Sequence, residues 1–162
     1  MQNLLKIFIL AAAGALGGFC GALLGDLAAE LGTDETTLGM ISSVACWMGA
    51  IGASISAAVL LTHRWYQRQR LGLTPLTIGV LSGLASGMIS GAIAQTIYIA
   101  DISEQWRVFC WGIAGCLIGF SLSWHLSSIQ VWRGALGGAI GGWIGSALFD
   151  VLHMMTADVV LA

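Results

Sequence analysis

Three polar residues stand at matching positions in three glycine-rich apolar stretches of this 162-residue chain. Glu30, Gln95 and Asp150 each follow the first glycine of such a stretch at the same distance. If the stretches are membrane helices around a common axis, these side chains form an uneven polar ring at the outer face, which attracts cations. A polar side chain at the end of a membrane span also lies near the headgroups, where it costs little. A position near the headgroups does not suit Gln95, because the apolar segment continues after it through the largely apolar residues 96–100.

A basic and aromatic stretch, residues 63–70, is the second group that could act on a ligand. Its three arginines are Arg64, Arg68 and Arg70. Such a patch binds anionic lipid or a soluble partner, and nucleic-acid phosphates attract the same residue types. The positive-inside rule places the same arginines at the cytoplasmic end of a membrane span without any ligand. We expect contact with cytoplasmic lipid or a soluble cytoplasmic partner, and no binding of nucleic acid.

Residues of catalytic or metal-binding type are present but do not converge. The histidines lie at segment ends, and neither a GxSxG nor an HExxH motif occurs. Ser82, Ser86 and Ser90 alternate with glycines on one helical face, which is typical of small packing residues. The four cysteines lie inside apolar runs without metal-ligand spacing, and they are Cys20, Cys46, Cys110 and Cys116. We therefore predict no enzyme activity, no cofactor and no metal.

The composition favours a protein with several membrane spans. Hydrophobic residues make up 57% of the chain and charged residues only 9%, with 23 glycines and one proline. Average soluble domains contain roughly 25% charged residues, so this chain has too few charges to cover a water-facing surface. Most of the charges fall between apolar runs, which is where loops and helix ends belong. Membrane lipids are therefore the expected surroundings.

Apolar runs of about 20 residues, the length of one membrane span, divide the chain into five segments. Their bounds are 6–30, 38–62, 75–99, 107–126 and 131–152. Thr74 and Pro75 mark the start of the third segment, because threonine caps helices and proline fits a first turn. The N-terminus resembles a secretory signal, but its apolar run continues to Leu24, which predicts a first membrane helix. The predicted fold class is all-α, a polytopic membrane protein of five transmembrane helices in one domain, residues 1–162.

Stripes of glycine distinguish the first, third and fifth segments. Residues four apart share one stripe of a helix, and six glycines fall within residues 134–145. At about 1 kcal/mol per glycine relative to alanine, such a run would destabilise a soluble helix. In a bilayer, glycine instead lets neighbouring helices approach closely. We expect the deep tryptophans Trp47, Trp111 and Trp143 to fill the gaps that glycine leaves. The predicted helix-packing ladder is Gly14, Gly18, Gly79, Gly83, Gly87, Gly91, Gly134, Gly138 and Gly142.

The three glycine-striped segments also align with one another without gaps. When their first glycines are superposed, small residues fall in register at most of the following ladder positions, and Asp26 breaks the pattern. This predicts a two-helix hairpin over residues 6–70, repeated over 71–130 and begun again at 131–162. The last unit lacks a second helix, so one face of its small residues stays unfilled. We expect another subunit to fill it, which makes the protein a homo-oligomer.

Lysine and arginine near the segment ends set the orientation in a membrane. Lys6, the arginines of residues 63–70 and Arg133 fall on one side of the predicted spans, and the acidic residues concentrate on the other. Arg107 is the exception. The sequence therefore predicts a cytoplasmic N-terminus and a C-terminus outside.

Two protein families share parts of this pattern. The stretch Trp132–Asp150, together with the preceding glycine helix 112–119, resembles the glycine-zipper membrane modules of bacterial proteins that also carry forkhead-associated or von Willebrand A domains. That resemblance covers residues 105–155 and implies a bacterial inner-membrane module beside a soluble recognition domain. The basic residues Arg64 and Arg68 before a glycine ladder are similar to the mitochondrial inner-membrane translocase family. We interpret the second likeness as convergence on tight packing.

Two functions are compatible with these features. One is a conduit, an oligomeric channel or transport component for ions or small solutes with Glu30, Gln95 and Asp150 at its outer mouth. The other is a non-conducting membrane scaffold that holds a soluble partner at the cytoplasmic face through residues 63–70. An intramembrane enzyme is disfavoured because no acid, base or nucleophile set converges.

Overall fold

The computed structural model describes residues 2–29, 36–68, 72–100, 104–126 and 130–160, which form five α-helices. These are α1 (Gln2–Ala29), α2 (Thr37–Tyr66), α3 (Leu73–Ala100), α4 (Glu104–His125) and α5 (Val131–Val160). The predicted all-helical fold class is confirmed, and each predicted segment lies on one helix except for residue 30, which is outside the described residues, and Leu126, which follows α4. In α1 to α4, an apolar stretch is long enough to cross a membrane. The side chains of α5 are described only over 131–147, so its predicted span stays a prediction.

The beginnings of α2 and α3 show local capping chemistry. The Thr36 hydroxyl accepts a hydrogen bond from the Gly39 backbone N–H at 3.1 Å, which satisfies an amide that the first turn of α2 leaves without a partner. Pro75 lies in the first turn of α3, as its position predicts. Thr74 does not precede the helix as predicted, because α3 already begins at Leu73.

The helices form a row in chain order. Each helix packs against its neighbours in sequence, and α2 and α4 add a small contact. Among the described residues, α1, α3 and α5 make no contact with one another. These three helices therefore do not surround a common axis within the described part of one chain.

The contact between α2 and α3 brings two helix backbones together through glycine. Gly83 lies against the carbonyl oxygen of Gly52 and the hydroxyl of Ser56. Gly87 lies against the backbone of Met48, and a methyl group added to it would be 2.9 Å from the Cα atom of Gly49. At Gly52 and Gly87 the nearest atoms of the other helix are all backbone atoms, so the attraction there is dispersion between backbones at short range.

The contact between α4 and α5 follows the same principle from both sides. Gly115 of α4 and Gly138 of α5 face each other. A methyl group added to either glycine would collide with the carbonyl group of the other. Gly119 and Gly134 form a second facing pair of this kind. Glycine on both helices therefore sets their separation.

In α1 the close approach uses the stripe next to the predicted one. Methyl groups added to Gly17 and Gly21 would lie 2.9 Å and 2.6 Å from Cα atoms of α2. Gly14 and Gly18 face α2 side chains at 3.8 Å and 3.7 Å, which is ordinary van der Waals distance. The repeat that relates α1 to α3 and α5 stays a prediction.

Two deep tryptophans fill space that glycine leaves, as predicted. The indole of Trp47 lies over Gly25 of α1, and the indole of Trp143 lies over Gly112 of α4. Trp111 packs edge-on against Trp47 instead, with ring centroids 6.3 Å apart and the planes at 78°.

The row of helices divides at the contact between α3 and α4. None of the described glycines has a backbone atom of the other helix among its nearest neighbours across the α3–α4 contact, and a methyl group added to Gly79 would lie 3.8 Å from the His125 ring. This contact is also less extensive than the other three between sequence neighbours. We call α1–α3 the N-terminal body, α4–α5 the C-terminal body and the α3–α4 contact the seam.

A methyl group in the α2–α3 contact should loosen the N-terminal body. We expect Gly87→Ala to lower the free energy of unfolding by about 1–3 kcal/mol, because the methyl group meets backbone atoms that cannot rotate away. The matched control is Gly18→Ala, where the methyl group reaches only ordinary contact with Ile55 and alanine favours the helix by up to about 1 kcal/mol. Unfolding in mixed detergent micelles measures both, and equal stability of the two variants would contradict the packing described.

Candidate functional site at the seam

Polar side chains from α3 and α4 meet at one end of the seam. The Ser82 hydroxyl and His125 Nε2 are 2.9 Å apart, and the Ser86 and Ser121 hydroxyl oxygens are 3.3 Å apart. Ser82 and Ser86 were interpreted from sequence as packing residues, and the structure gives them a cross-helix partner as well. Ser90 follows the packing interpretation, since its hydroxyl is buried and donates to the Gly87 carbonyl at 2.8 Å.

The hydroxyl protons constrain how this polar pair is bonded. Ser82 Oγ lies 2.9 Å from its own helix carbonyl at Gly79 and can donate its single proton there. In that arrangement His125 Nε2 carries the proton and donates to Ser82. If the Ser82 hydroxyl donates to His125 Nε2 instead, that nitrogen carries no proton and the neutral ring is protonated at Nδ1. The pair can therefore exchange donor and acceptor roles without moving a heavy atom.

A cavity lined by aromatic side chains lies at the opposite end of the seam. Trp47 of α2, Tyr98 of α3 and both Trp106 and Trp111 of α4 line it, together with Gln95. The other described lining residues are Val44, Met48, Ala94 and Cys110. Its volume is ≈ 160 Å³ and it is partly open to the surroundings. We call it the aromatic cavity.

Between the two ends, the buried residues of α4 are apolar. Ala114 and Ile118 of α4 are buried. Ala114 belongs to a core cluster with Met48 and Ile51 of α2. The polar pairs and the aromatic cavity are therefore separated by an apolar region in this conformation.

Asp26 is bound to one wall of the aromatic cavity. Trp47 Nε1 donates a hydrogen bond to the Asp26 carboxylate at 2.8 Å, joining α1 to α2. This contact explains why a carboxylate interrupts the small-residue pattern of α1. The sequence marks both residues as unusual, since Asp26 interrupts the aligned small residues and Trp47 lies deep in its apolar segment. Their pairing depends on which stripe of α1 faces α2.

Gln95 is the member of the predicted polar ring whose surroundings the structure describes. Its half-buried side chain lines the aromatic cavity. Among the described residues it makes no hydrogen bond. Glu30 and the side chain of Asp150 lie outside the described part of the chain, so the ring stays a prediction.

The predicted arginine contacts are described for two of the three residues. Arg64 Nη1 donates a long hydrogen bond of 3.4 Å to the Gly72 carbonyl, which ties the end of α2 to the start of α3. Arg68 is exposed and has a φ of 53°, a left-handed conformation found where helices end. Arg70 lies outside the described residues. A lipid or partner contact at these arginines stays a prediction.

One stripe of α5 faces open space. Gly137, Gly141 and Gly145 are exposed, and a methyl group added to any of them would meet nothing within 4 Å. The adjacent stripe, Gly134 with Gly138 and Gly142, contacts α4. The sequence predicted that one small-residue face of the last helix lacks a mate, and within the described chain this stripe has none.

The described residues offer no cluster of three or more histidine, cysteine or acidic side chains that could hold a metal ion. All four cysteines are free thiols. Comparison with known proteins finds no matching family model, no similar curated protein and no similar solved structure. The chemistry of the seam is therefore the available guide to function.

A double-mutant cycle tests the bond between Asp26 and Trp47. We expect Asp26→Ala and Trp47→Phe each to destabilise the protein, and the double variant to lose less than their sum by about 0.5–1.5 kcal/mol. Phenylalanine keeps a ring over Gly25 but has no N–H to donate. Detergent unfolding of the four proteins measures the coupling, and strictly additive losses would show that the bond contributes nothing.

Proposed function

We propose that this chain is an integral membrane protein and a transport component for ions or small solutes. The observation that carries the proposal is the seam, because it joins two glycine-packed bodies through a contact without backbone-to-backbone glycine packing. It has hydroxyl groups and a histidine at one end and a partly open cavity at the other. The four apolar helices are compatible with membrane insertion.

Movement at the seam follows from the difference between its contacts and the others. Glycine contacts with the neighbouring backbone fix the helix separation within each body, since backbone atoms cannot change rotamer. Side chains at the seam can change rotamer, and the Ser82 and His125 pair can exchange donor roles. The two bodies therefore move as units against one another, and parting them at Ala114 and Ile118 would connect the polar pairs with the cavity.

The proposed orientation places the aromatic cavity toward the outside and the His125 pair toward the cytoplasm. A bacterial inner membrane is the proposed location, on the resemblance of the C-terminal helices to bacterial membrane modules. The acidic residues of the chain concentrate on the proposed outer side, which favours cations over anions at the cavity.

We also propose that two copies associate through the open stripe of α5. The equivalent stripe of α1, Gly17 and Gly21, approaches the α2 backbone closely, so the chain uses this spacing for helix contact elsewhere. Gly137, Gly141 and Gly145 present the small-residue spacing with which parallel membrane helices pair. A second copy related by a two-fold axis brings the same stripe to itself.

A reversible crosslink across the seam tests transport. In the double variant Ser86→Cys with Ser121→Cys, the two thiols replace hydroxyl oxygens 3.3 Å apart and should form a disulfide on oxidation. We expect oxidation to lower solute flux into proteoliposomes to that of protein-free vesicles, and reduction to restore it. Light scattering after osmotic steps of potassium chloride, choline chloride and glycerol measures the flux.

The control is Ser86→Cys alone, treated with the same oxidant, which reveals any pairing with the native thiols. Flux that persists in the crosslinked protein would contradict movement at the seam. If the wild-type protein admits none of the three solutes above the protein-free rate, the transport proposal is wrong. The scaffold held through Arg64, Arg68 and Arg70 would then be the better explanation.

A bulky side chain on the open stripe tests self-association. We expect Gly141→Leu to convert a dimer into a monomer without loss of fold, because nothing lies within 4 Å of the added Cβ. Ile140→Leu, beside it on the exposed surface of α5, is the matched control and should leave the dimer intact. Light scattering of the protein in detergent measures the mass. A monomeric wild type, or a dimer that tolerates Gly141→Leu, would contradict the interface.

A further inference from the structure

The aromatic cavity has the size of a site for a small compact ligand. Its volume of ≈ 160 Å³ is close to that of cavities of about 150 Å³ that hold benzene or xenon. Side chains from three helices converge on it, so its shape is set by both bodies. A partly open mouth gives a ligand access without unfolding.

The walls of the cavity favour a positive charge of low hydration. Trp47, Tyr98, Trp106 and Trp111 contribute π faces or edges to its lining. The faces of such rings carry negative electrostatic potential, and they attract cations within about 6 Å of the ring centre. No lysine, arginine or histidine lies among the lining residues that the structure describes, so no described cation occupies the space between these rings.

Asp26 strengthens the preference for a cation although it does not itself line the cavity. Its carboxylate accepts the Trp47 N–H at 2.8 Å, outside the cavity lining. A carboxylate on the indole N–H pushes electron density into the ring, which makes the π face more negative. The anion therefore acts on a ligand through Trp47 and needs no direct contact.

Gln95 supplies the polar contact. Among the described residues its amide makes no hydrogen bond, although the side chain is half-buried against aromatic rings. An amide carbonyl dipole attracts a cation, and the amide group can also accept a hydrogen bond from a ligand hydroxyl. A metal ion would need several oxygen ligands, whereas the described lining residues offer only the Gln95 amide and the Tyr98 hydroxyl beside apolar groups.

We propose that the aromatic cavity binds a small organic cation of the quaternary ammonium type, held by the four rings and the Gln95 amide. Methyl groups around the nitrogen suit apolar walls, and the delocalised charge suits the rings. As a statement about the transported substrate, the inference rests on the proposed transport function. The same group is present in a free solute and in the headgroup of phosphatidylcholine, and the test separates these sources.

Equilibrium dialysis of the wild-type protein in phosphatidylglycerol nanodiscs tests the site with radiolabelled choline. We expect saturable binding above that of empty nanodiscs. Dimethylbutanol, the uncharged carbon isostere of choline, should compete about tenfold more weakly because it lacks the charge that the rings attract. Equal competition by the two compounds would overturn the proposal, since an apolar cavity alone would explain it.

Variants locate the binding. Trp106→Leu and Gln95→Leu should each weaken choline binding about tenfold, and both side chains are partly exposed, so the fold should survive. Trp124→Leu is the matched control, because Trp124 is also exposed on α4 but lies outside the cavity. Binding that all three variants retain would place the ligand elsewhere and overturn the assignment.

Nanodiscs of phosphatidylcholine distinguish the two sources. Loss of choline binding there identifies the lipid headgroup as the occupant, and unchanged binding identifies a free solute. Both results support the site. Dialysis measures occupancy without flux, so choline binding with no transport would leave the site standing and overturn only the transport role. Transport of potassium chloride or glycerol without choline binding would do the reverse.

Discussion

Close contact between helix backbones, made possible by glycine, is the constraint on which the rest of this structure depends. At Gly52 with Gly83, and again at Gly115 with Gly138, no side chain stands between the two helices. Backbone atoms cannot change rotamer, so these contacts fix helix separation more rigidly than side-chain packing does. The surrounding features follow from that rigidity. Indoles occupy the space over Gly25 and Gly112, and buried serines lie against Gly83 and Gly134.

The helices themselves follow from composition and apolar run length, because these features are local in the sequence. The choice between adjacent glycine stripes does not follow from spacing alone, since both stripes of a helix such as α1 contain glycines four residues apart. The α2 surface decides that Gly17 and Gly21 make the close contact. The polar ring assumed a common axis, whereas the described helices form a row. Gln95 was singled out as an unusual amide, but its cavity is formed by α2, α3 and α4 together and has no sequence signature.

The same constraint explains why the candidate site lies at the seam. A helix contact packed through glycine leaves no volume for a ligand, and its two helices cannot shift relative to each other. The α3–α4 contact has both volume and freedom to move, because it is made through side chains, including the Ser82–His125 and Ser86–Ser121 pairs. Rigid packing and ligand binding are therefore assigned to different helix contacts. The two bodies are held by backbone proximity, while chemistry and motion are confined to the contact made by side chains.

The row of helices has a consequence for how the chain is built. Because contacts run almost entirely between sequence neighbours, α2 can pack on α1 before α4 has been synthesised, and each later helix adds to a finished surface. Such a chain has low contact order, so little loop entropy is lost before stabilising contacts form. The order in which the helices are synthesised is then the same as their order in the row. Of the five described helices, α5 is synthesised after the other four, and its stripe Gly137, Gly141 and Gly145 meets none of them.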